Sequence, residues 1–251
     1  MIPLEPISPA PPHLLRRCPL AQSWRHVSFV HWPCSPRQVR PLLPPRTEPD
    51  IAEGSAWIGV VALRFESVHL LGVPVFPTPA GVTELNVRTY SVDAQGRRGI
   101  VFLTMEMSNA ALAFGARTTT RLPYRWADVD VDTSGGIVEC RAQRHGPGGA
   151  GIGFRIRPRQ PVEPTNLDHF LTARWRLHTR WWAVTAQVPI RHEPWRLRAG
   201  ELQEFSDSGL LADAGVPAPE HPPRVLYSVG TTVTFGLPSV VGPATGVAAA
   251  P

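Results

Sequence analysis

The sequence predicts a single α+β domain built mainly on antiparallel strands. Two observations lead there. Short runs with alternating or continuous apolar character recur along most of the 251 residues, separated by glycine- and proline-containing turns. Helix-start signals are few, and the segments behind them are short. No internal repeat is present, and the length suits one domain with a substantial core.

In chain order, residues 1–22 are proline-rich and read as a flexible, extended N-terminus until about Leu20. Ser35-Pro36 ahead of residues 37–43 reads as a short helix, with serine at the N-cap and proline in the first turn, stopped by Pro44-Pro45. Residues 57–65 are a strongly apolar run, expected as a buried strand. Prolines between 73 and 79 make 66–80 a loop or edge. Residues 82–93 and 99–107 read as two strands joined by the turn at 93–96, hence an antiparallel hairpin. Ser108 or Asn109 can cap a helix over 110–116, which Leu122-Pro123-Tyr124 ends. Strands near 126–132, 136–144 and 152–158 follow across glycine-rich turns. Thr165 can cap a helix over 166–172. Residues 174–179 and 182–191 read as a strand pair, 207–214 as a small helix, and 224–228 and 231–235 as the last strands. The domain is therefore 23–237, and 238–251 is a low-complexity flexible tail.

Composition narrows the chemistry. All 25 basic side chains are arginine; the sequence contains no lysine. Schiff-base catalysis by a side-chain amine is thereby excluded, as is phosphate binding by a Walker-type lysine. Cys18, Cys34 and Cys140 form no CxxC pair, so neither a disulfide framework nor a zinc site is indicated, and buried free thiols are expected. No apolar run reaches the roughly 20 residues needed to span a bilayer. Prolines occupy the place of a signal-peptide apolar region, so the expected location is cytoplasmic. Residues 141–198 carry 11 arginines against Glu163, Asp168 and Glu193, a local excess of 11 − 3 = +8. Such a region fits nucleic acid, an acidic metabolite, an anionic surface, or solubility alone.

The segment with most chemistry is 84–90, Glu84-Leu85-Asn86-Val87-Arg88-Thr89-Tyr90. As a strand it puts Glu84, Asn86, Arg88 and Tyr90 on one face and Leu85, Val87 and Thr89 on the other. A carboxylate, an amide, a guanidinium and a phenol in a row fit the wall of a polar cavity. They fit a solvated, ion-paired ladder that fixes strand register equally well. Other motifs carry less. Residues 146–151 match GxGxxG, but Ile152, Phe154 and Ile156 follow in strand alternation, so the glycines read as a hairpin turn. His31, just before the first helix, is a general acid–base candidate or a structural histidine. Arg174, Arg176, His178 and Arg180 share one strand face, with Trp175, Leu177, Thr179 and Trp181 on the other. A stacking platform for single-stranded nucleic acid needs both sets on one face. The arginines then read as solvated or ion-paired, with one reaching a pocket. His192 and Glu193 point apart as strand neighbours. Asp128, Asp130 and Asp132 alternate on a strand and fit either a hard-cation site or an acidic edge.

Several of these pieces recur together. Trp24 with Phe29-Val30-His31-Trp32, Leu42-Leu43-Pro44, Gly54-Ser55-Ala56-Trp57, the 84–90 segment, Gly99-Ile100-Val101-Phe102, Leu122-Pro123-Tyr124, Phe170-Leu171-Thr172-Ala173-Arg174 and His192-Glu193-Pro194-Trp195 resemble the YqjF-like family of uncharacterised conserved bacterial proteins, in order over about 24–235. That family is similar to the acetoacetate-decarboxylase-like fold. The resemblance implies a curved antiparallel sheet or partial barrel around a central pocket, with a carboxylate on a strand like 84–90. It also implies a Schiff-base lysine near residues 108–110, which this sequence lacks.

The expected function is therefore that of a small-molecule pocket protein, a lyase or isomerase acting non-covalently on an acidic or oxo-acid metabolite. Glu84 and Tyr90 are the candidate catalytic residues: Glu84 the acid or base, Tyr90 a group that orients or polarises a carbonyl. Asn86, Arg88, Arg174 and His31 are the candidate substrate-binding residues, the arginines for a carboxylate. No cofactor and no metal are expected. The alternatives are a non-catalytic binder of an acidic metabolite and, ranked last, a basic nucleic-acid-binding module.

Overall fold

The computed structural model describes residues 3–12, 14–15, 17–75, 81–146 and 149–242. Its strands are β1 (Leu20–Cys34), β2 (Thr47–Pro49), β3 (Ala56–Leu70), β4 (Val73–Pro74), β5 (Val82–Asp93), β6 (Arg98–Met107), β7 (Tyr124–Asp132), β8 (Val138–Arg144), β9 (Gly151–Pro161), β10 (Arg176–Trp181), β11 (Val184–His192), β12 (Leu197–Asp207), β13 (Arg224–Phe235) and β14 (Ser239–Val240). The helices are α1 (Pro36–Val39), α2 (Ala110–Thr120), α3 (Asn166–Thr172) and α4 (Leu210–Asp213). All strands belong to one curved, mixed sheet in which β6–β7 and β6–β10 are parallel and the other pairings antiparallel.

The pairings close two rings that share a wall. One runs β5–β6–β7–β8–β9–β12–β13–β1–β3 and back to β5; the other runs β5–β6–β10–β11–β13–β1–β3. Each ring encloses its own core. The first holds Val60, Leu85, Val87, Val131, Cys140, Phe154 and Tyr227. The second holds Trp24, Phe29, Trp57, Tyr90, Tyr124, Phe170, Leu171 and Trp195. Strand β5 lies in the shared wall between β3 and β6, so every one of its residues is buried, whichever face it takes. A strand with two inner faces has no solvated side. The polar alternation at 84–90 therefore looks into the second core and not into water.

Local signals account for most elements. Ser35 and Gln38 form a capping box at α1, and Thr165 and Asp168 form another at α3. Asn109 caps α2, which runs on to Thr120 before Arg121 ends it with a left-handed backbone. Gly146 and Gly149 lie between β8 and β9, and Gly151 opens β9; Pro147 and Gly148 lie outside the described residues.

Differences from the expectations have physical causes. β1 and β12 were not anticipated as strands. A bulge in β1 between Arg25 and Ser28, with His26 at φ 53°, moves the inward side from Trp24 to Val27 and Phe29 and breaks the period of two. β12 carries two comparable register shifts against β9. The two expected strands at 224–235 are one, because Gly230 bends through φ 126° with the Trp24 carbonyl where a Cβ would lie. β3 continues to Leu70 and turns back into β4; residues 76–80 of the expected loop lie outside the described residues. Asp128, Asp130 and Asp132 are exposed on β7, where β8 pairs along one side and β6 on the other reaches only to Trp126. Of the three thiols only Cys140 is buried; Cys34 is half-buried and Cys18 is exposed. In the expected C-terminal tail, β14 pairs with β11, and residues 243–251 lie outside the described residues. No helix among the described residues is long and apolar enough to cross a membrane.

Candidate functional site

The polar face of β5 meets the C-terminal end of α3. The last carbonyls of a helix have no partner within it, and a buried helix end must find donors elsewhere. Here Arg174 Nε donates to Phe170 O at 2.6 Å, Arg88 Nη2 to Leu171 O at 3.0 Å, Tyr90 Oη to Leu171 O at 2.8 Å and Trp195 Nε1 to Thr172 O at 3.0 Å. Two of these donors are guanidinium cations, which also complement the negative end of the helix dipole. Residues from β5 and from the segments after α3 and β11 thus converge on one turn of backbone.

His31 completes this end. Its Nε2 lies 2.7 Å from Tyr90 Oη. The single Tyr90 proton goes to Leu171 O, so His31 Nε2 carries hydrogen and donates, which makes Nδ1 the acceptor nitrogen. Burial pushes the His31 imidazole well below its usual range, with Arg88 and Arg174 adding to the effect, and the ring is neutral. Burial also raises the Tyr90 phenol, against the pull of the two arginines. Tyr90 is therefore a hydrogen-bond donor here and not a base. Arg174 stacks over the Tyr90 and Phe170 rings at 4.5 and 4.1 Å and pairs with Asp50 Oδ2 at 2.6 Å. Asp50 also binds Arg98.

Glu84 stands at the other end of the face, two residues from Asn86, whose Nδ2 donates to Glu84 Oε1 at 3.0 Å. Burial pushes the Glu84 carboxyl up to about 7, against the hydrogen bonds of Asn86 and Tyr124 and the charge of Arg88. Glu84 Oε2, Asn86 Oδ1, Arg88 Nε, His31 Nδ1 and Arg174 Nη2 are buried and make no hydrogen bond within the protein. Buried polar atoms are nearly always paired, so a cluster of unpaired ones marks a place where polar chemistry remains available. A bulge in the β5–β6 ladder between Val87 and Arg88 falls in the middle of it.

All six residues expected from the sequence are thus in one buried assembly. Three side chains and the α3 carbonyls that complete it were not anticipated. Tyr124 had been read only as a helix terminator, and Asp50, Arg98 and the α3 carbonyls gave no local signal, since their roles arise from contacts across the two rings. A further trio was missed as well: Ser91 Oγ lies 2.8 Å from His178 Nδ1, and Asp93 Oδ2 lies 3.7 Å from His178 Nε2. All three are buried, burial holds His178 down to about 4, and Asp93 is committed to Arg97, so this trio packs the wall. The arginine strand is settled in part by pairing: Arg176 binds Glu5, while Arg180 is exposed and donates to Leu43 O. No group of residues able to hold a metal ion occurs among the described residues.

The family model of DUF2071, an uncharacterized conserved protein, matches residues 21–232. The chain belongs to this family. Its relative YqjF of Bacillus subtilis (strain 168), an uncharacterized protein, is 31% identical over 219 residues, 86% of this chain and 90% of YqjF. Among solved structures, the enduracididine biosynthesis enzyme MppR complexed with pyruvate has TM-score 0.62 at 15% identity, covering 92% of this chain and 93% of MppR. Acetoacetate decarboxylase from Legionella pneumophila has TM-score 0.62 at 14% identity, covering 95% and 96%. An acetoacetate decarboxylase-like enzyme from Sphingomonas wittichii RW1 has TM-score 0.62 at 14% identity, covering 93% and 99%. Identities this low speak to fold alone, and the fold of this DUF2071 protein is acetoacetate-decarboxylase-like.

Proposed function

We propose that this protein binds a small acidic metabolite of the oxo-acid class against the polar face of β5 and moves a proton on it, as a lyase or isomerase without covalent amine chemistry. Glu84 carries the reading. A carboxyl held near 7 can both take and return a proton at neutral pH, and its Oε2 accepts no hydrogen bond of regular geometry, with Tyr124 beside the carboxyl. In the reaction Glu84 accepts a proton from the carbon beside the substrate carbonyl, and the electron pair moves onto the carbonyl oxygen as an enolate. Arg88 stabilises that charge, and Asn86 and Tyr90 orient the carbonyl. Return of the proton to another carbon is isomerisation; loss of a β-leaving group is elimination. Arg174 binds the carboxylate, and His31 holds Tyr90. The lack of any lysine removes the imine route. The pyruvate complex of MppR supports the substrate class by analogy of fold. Three cysteines without a disulfide suit the cytoplasm.

A second reading is a non-catalytic binder of the same metabolite class. It is favoured by Arg88 and Tyr90, which already donate to Leu171 O. Proton NMR in D2O separates the two. Pyruvate and acetoacetate are incubated with protein in turn, and loss of the proton signal beside the carbonyl is followed. Protein-dependent exchange that falls by about 100-fold or more in Glu84→Gln is the expected result. Equal rates in the two proteins overturn the catalytic role, and saturable binding without exchange leaves the binder.

A further inference from the structure

The N-terminal segment is proline-rich, with Pro3, Pro6, Pro9, Pro11 and Pro12, and reads as a loose leader. Its described part nonetheless makes a set of specific contacts. Glu5 places both carboxylate oxygens on Arg176 Nη1, at 2.6 and 2.7 Å. Glu5 Oε2 also accepts from the Arg98 backbone N–H at 2.9 Å, and Glu5 O from Arg98 Nε at 2.7 Å. Glu5 N donates to Gly96 O at 2.8 Å, and three residues on Ser8 O accepts from Trp175 Nε1 at 3.1 Å. The Glu5 and Arg176 side chains are only 12% and 11% exposed. Residues 5–8 thus form a strap across Arg98, Phe170, Ala173, Arg174 and Trp175, and the space beneath it is about 10 Å³, no more than one water.

What the strap covers is continuous with the candidate site. Arg98 and Arg174 share Asp50, and Arg174 stacks on Tyr90. A carboxylate held by a guanidinium and a backbone N–H is the arrangement that recognises a small organic acid. In this chain the carboxylate belongs to the protein itself.

We propose that Arg176 and Arg98 form a carboxylate-binding subsite, and that Glu5 is its built-in occupant. An external small carboxylate takes the place of the Glu5 side chain and lifts the strap. The inference draws on the acid–base reading only for the ligand class. A tethered carboxylate acts at an effective concentration in the millimolar range, so an external acid binds with its affinity reduced by the fraction of chains in which the strap is open. The extended proline-rich segment suits this role, because it loses little conformational freedom on docking.

The test uses the full-length protein and malonate, a carboxylate with no carbonyl chemistry to confuse the readout. Calorimetric titration should give at least tenfold tighter malonate binding to Glu5→Gln than to wild type. Trp175→Phe, which removes the anchor to Ser8 O and leaves both arginines in place, should shift affinity in the same direction. In wild type, malonate should speed hydrogen exchange at the Glu5 amide that bonds Gly96 O. Equal malonate affinity in wild type and Glu5→Gln, or no binding to either, overturns the subsite. Glu84 takes no part in this titration. The subsite can therefore fail while the deuterium exchange of pyruvate stands, and the reverse.

Discussion

His31 Nε2 and Tyr90 Oη, 59 residues apart in sequence, are joined at 2.7 Å across the paired strands β1, β3 and β5. On β3 between them, Gly59 pairs with His31 on one side and with Arg88, two residues from Tyr90, on the other. A Cβ there would lie 2.6 Å from the His31 ring and 3.4 Å from Tyr90 Oη. Glycine is what lets an imidazole lie flat over the wall.

Gly59→Ala is accordingly expected to push His31 off Tyr90. Overpacking of this kind costs about 1–3 kcal/mol. Urea unfolding should show the loss, and the His31 ring signals in an NMR spectrum should move with it. An unchanged midpoint with unshifted His31 signals would mean the ring has room.

Glu84 sets a pH dependence with a definite sign. Its folded pKa of about 7 lies above the ordinary 4.5, so the folded state holds a proton that the unfolded state releases between those values. The stabilisation is complete below 4.5 and is lost as pH rises to about 7, a change on the order of 3 kcal/mol. Glu84→Gln removes it. The wild-type minus variant stability, from urea midpoints across pH 4.5–8, should fall through that window and then level. A flat difference would place the carboxyl in an ordinary environment.

His192 acts in the opposite direction. Its ring lies between Trp175 and Trp195, with centroids 4.5 and 4.9 Å away, and burial holds it down to about 4, only partly offset by the hydrogen bond to Glu193 O. The neutral ring stabilises the fold above the unfolded value of 6.5, and this is lost as pH falls toward 4, again on the order of 3 kcal/mol. His192→Phe should flatten that acid-side slope in urea titrations. A slope equal to wild type would assign acid lability to other buried groups, with His178 the next to examine.

Asp50 pairs with both Arg98 and Arg174 and is itself buried. Removing it leaves two guanidinium groups in place without their shared counter-charge. Asp50→Ala is expected to cost about 3–5 kcal/mol, the range for breaking a buried ion pair by deleting one member. A calorimetric melt reads it directly. A loss below about 1 kcal/mol, the level of a surface pair, would mean water reaches the arginines.

Much of the architecture was legible because its signals are local. Ser35 and Thr165 cap helices through their own side chains, the apolar run 57–65 needs only its own residues to read as a buried strand, and 82–93 alternates cleanly into a hairpin. β1 and β12 were illegible for an equally local reason: their bulges reset the alternation midway, so neither shows one period over its length. The six candidate residues were legible as candidates because four share the β5 alternation and the other two lie in recognisable segments. Asp50, Tyr124 and Glu5 carry no such pattern, since each matters only through a partner far away in sequence.

By itself, the sequence determined that the fold is β-rich and without lysine chemistry, and that Glu84, Asn86, Arg88 and Tyr90 share a face. These follow from composition and from a strand period of two. Only the tertiary structure decided that this face is not a solvated ladder. Closure of two rings around a common wall buries both sides of β5, and a carboxyl raised to about 7 exists only because that second burial takes it out of water. Burial on both faces is a property of what packs from elsewhere, which no local pattern in β5 encodes.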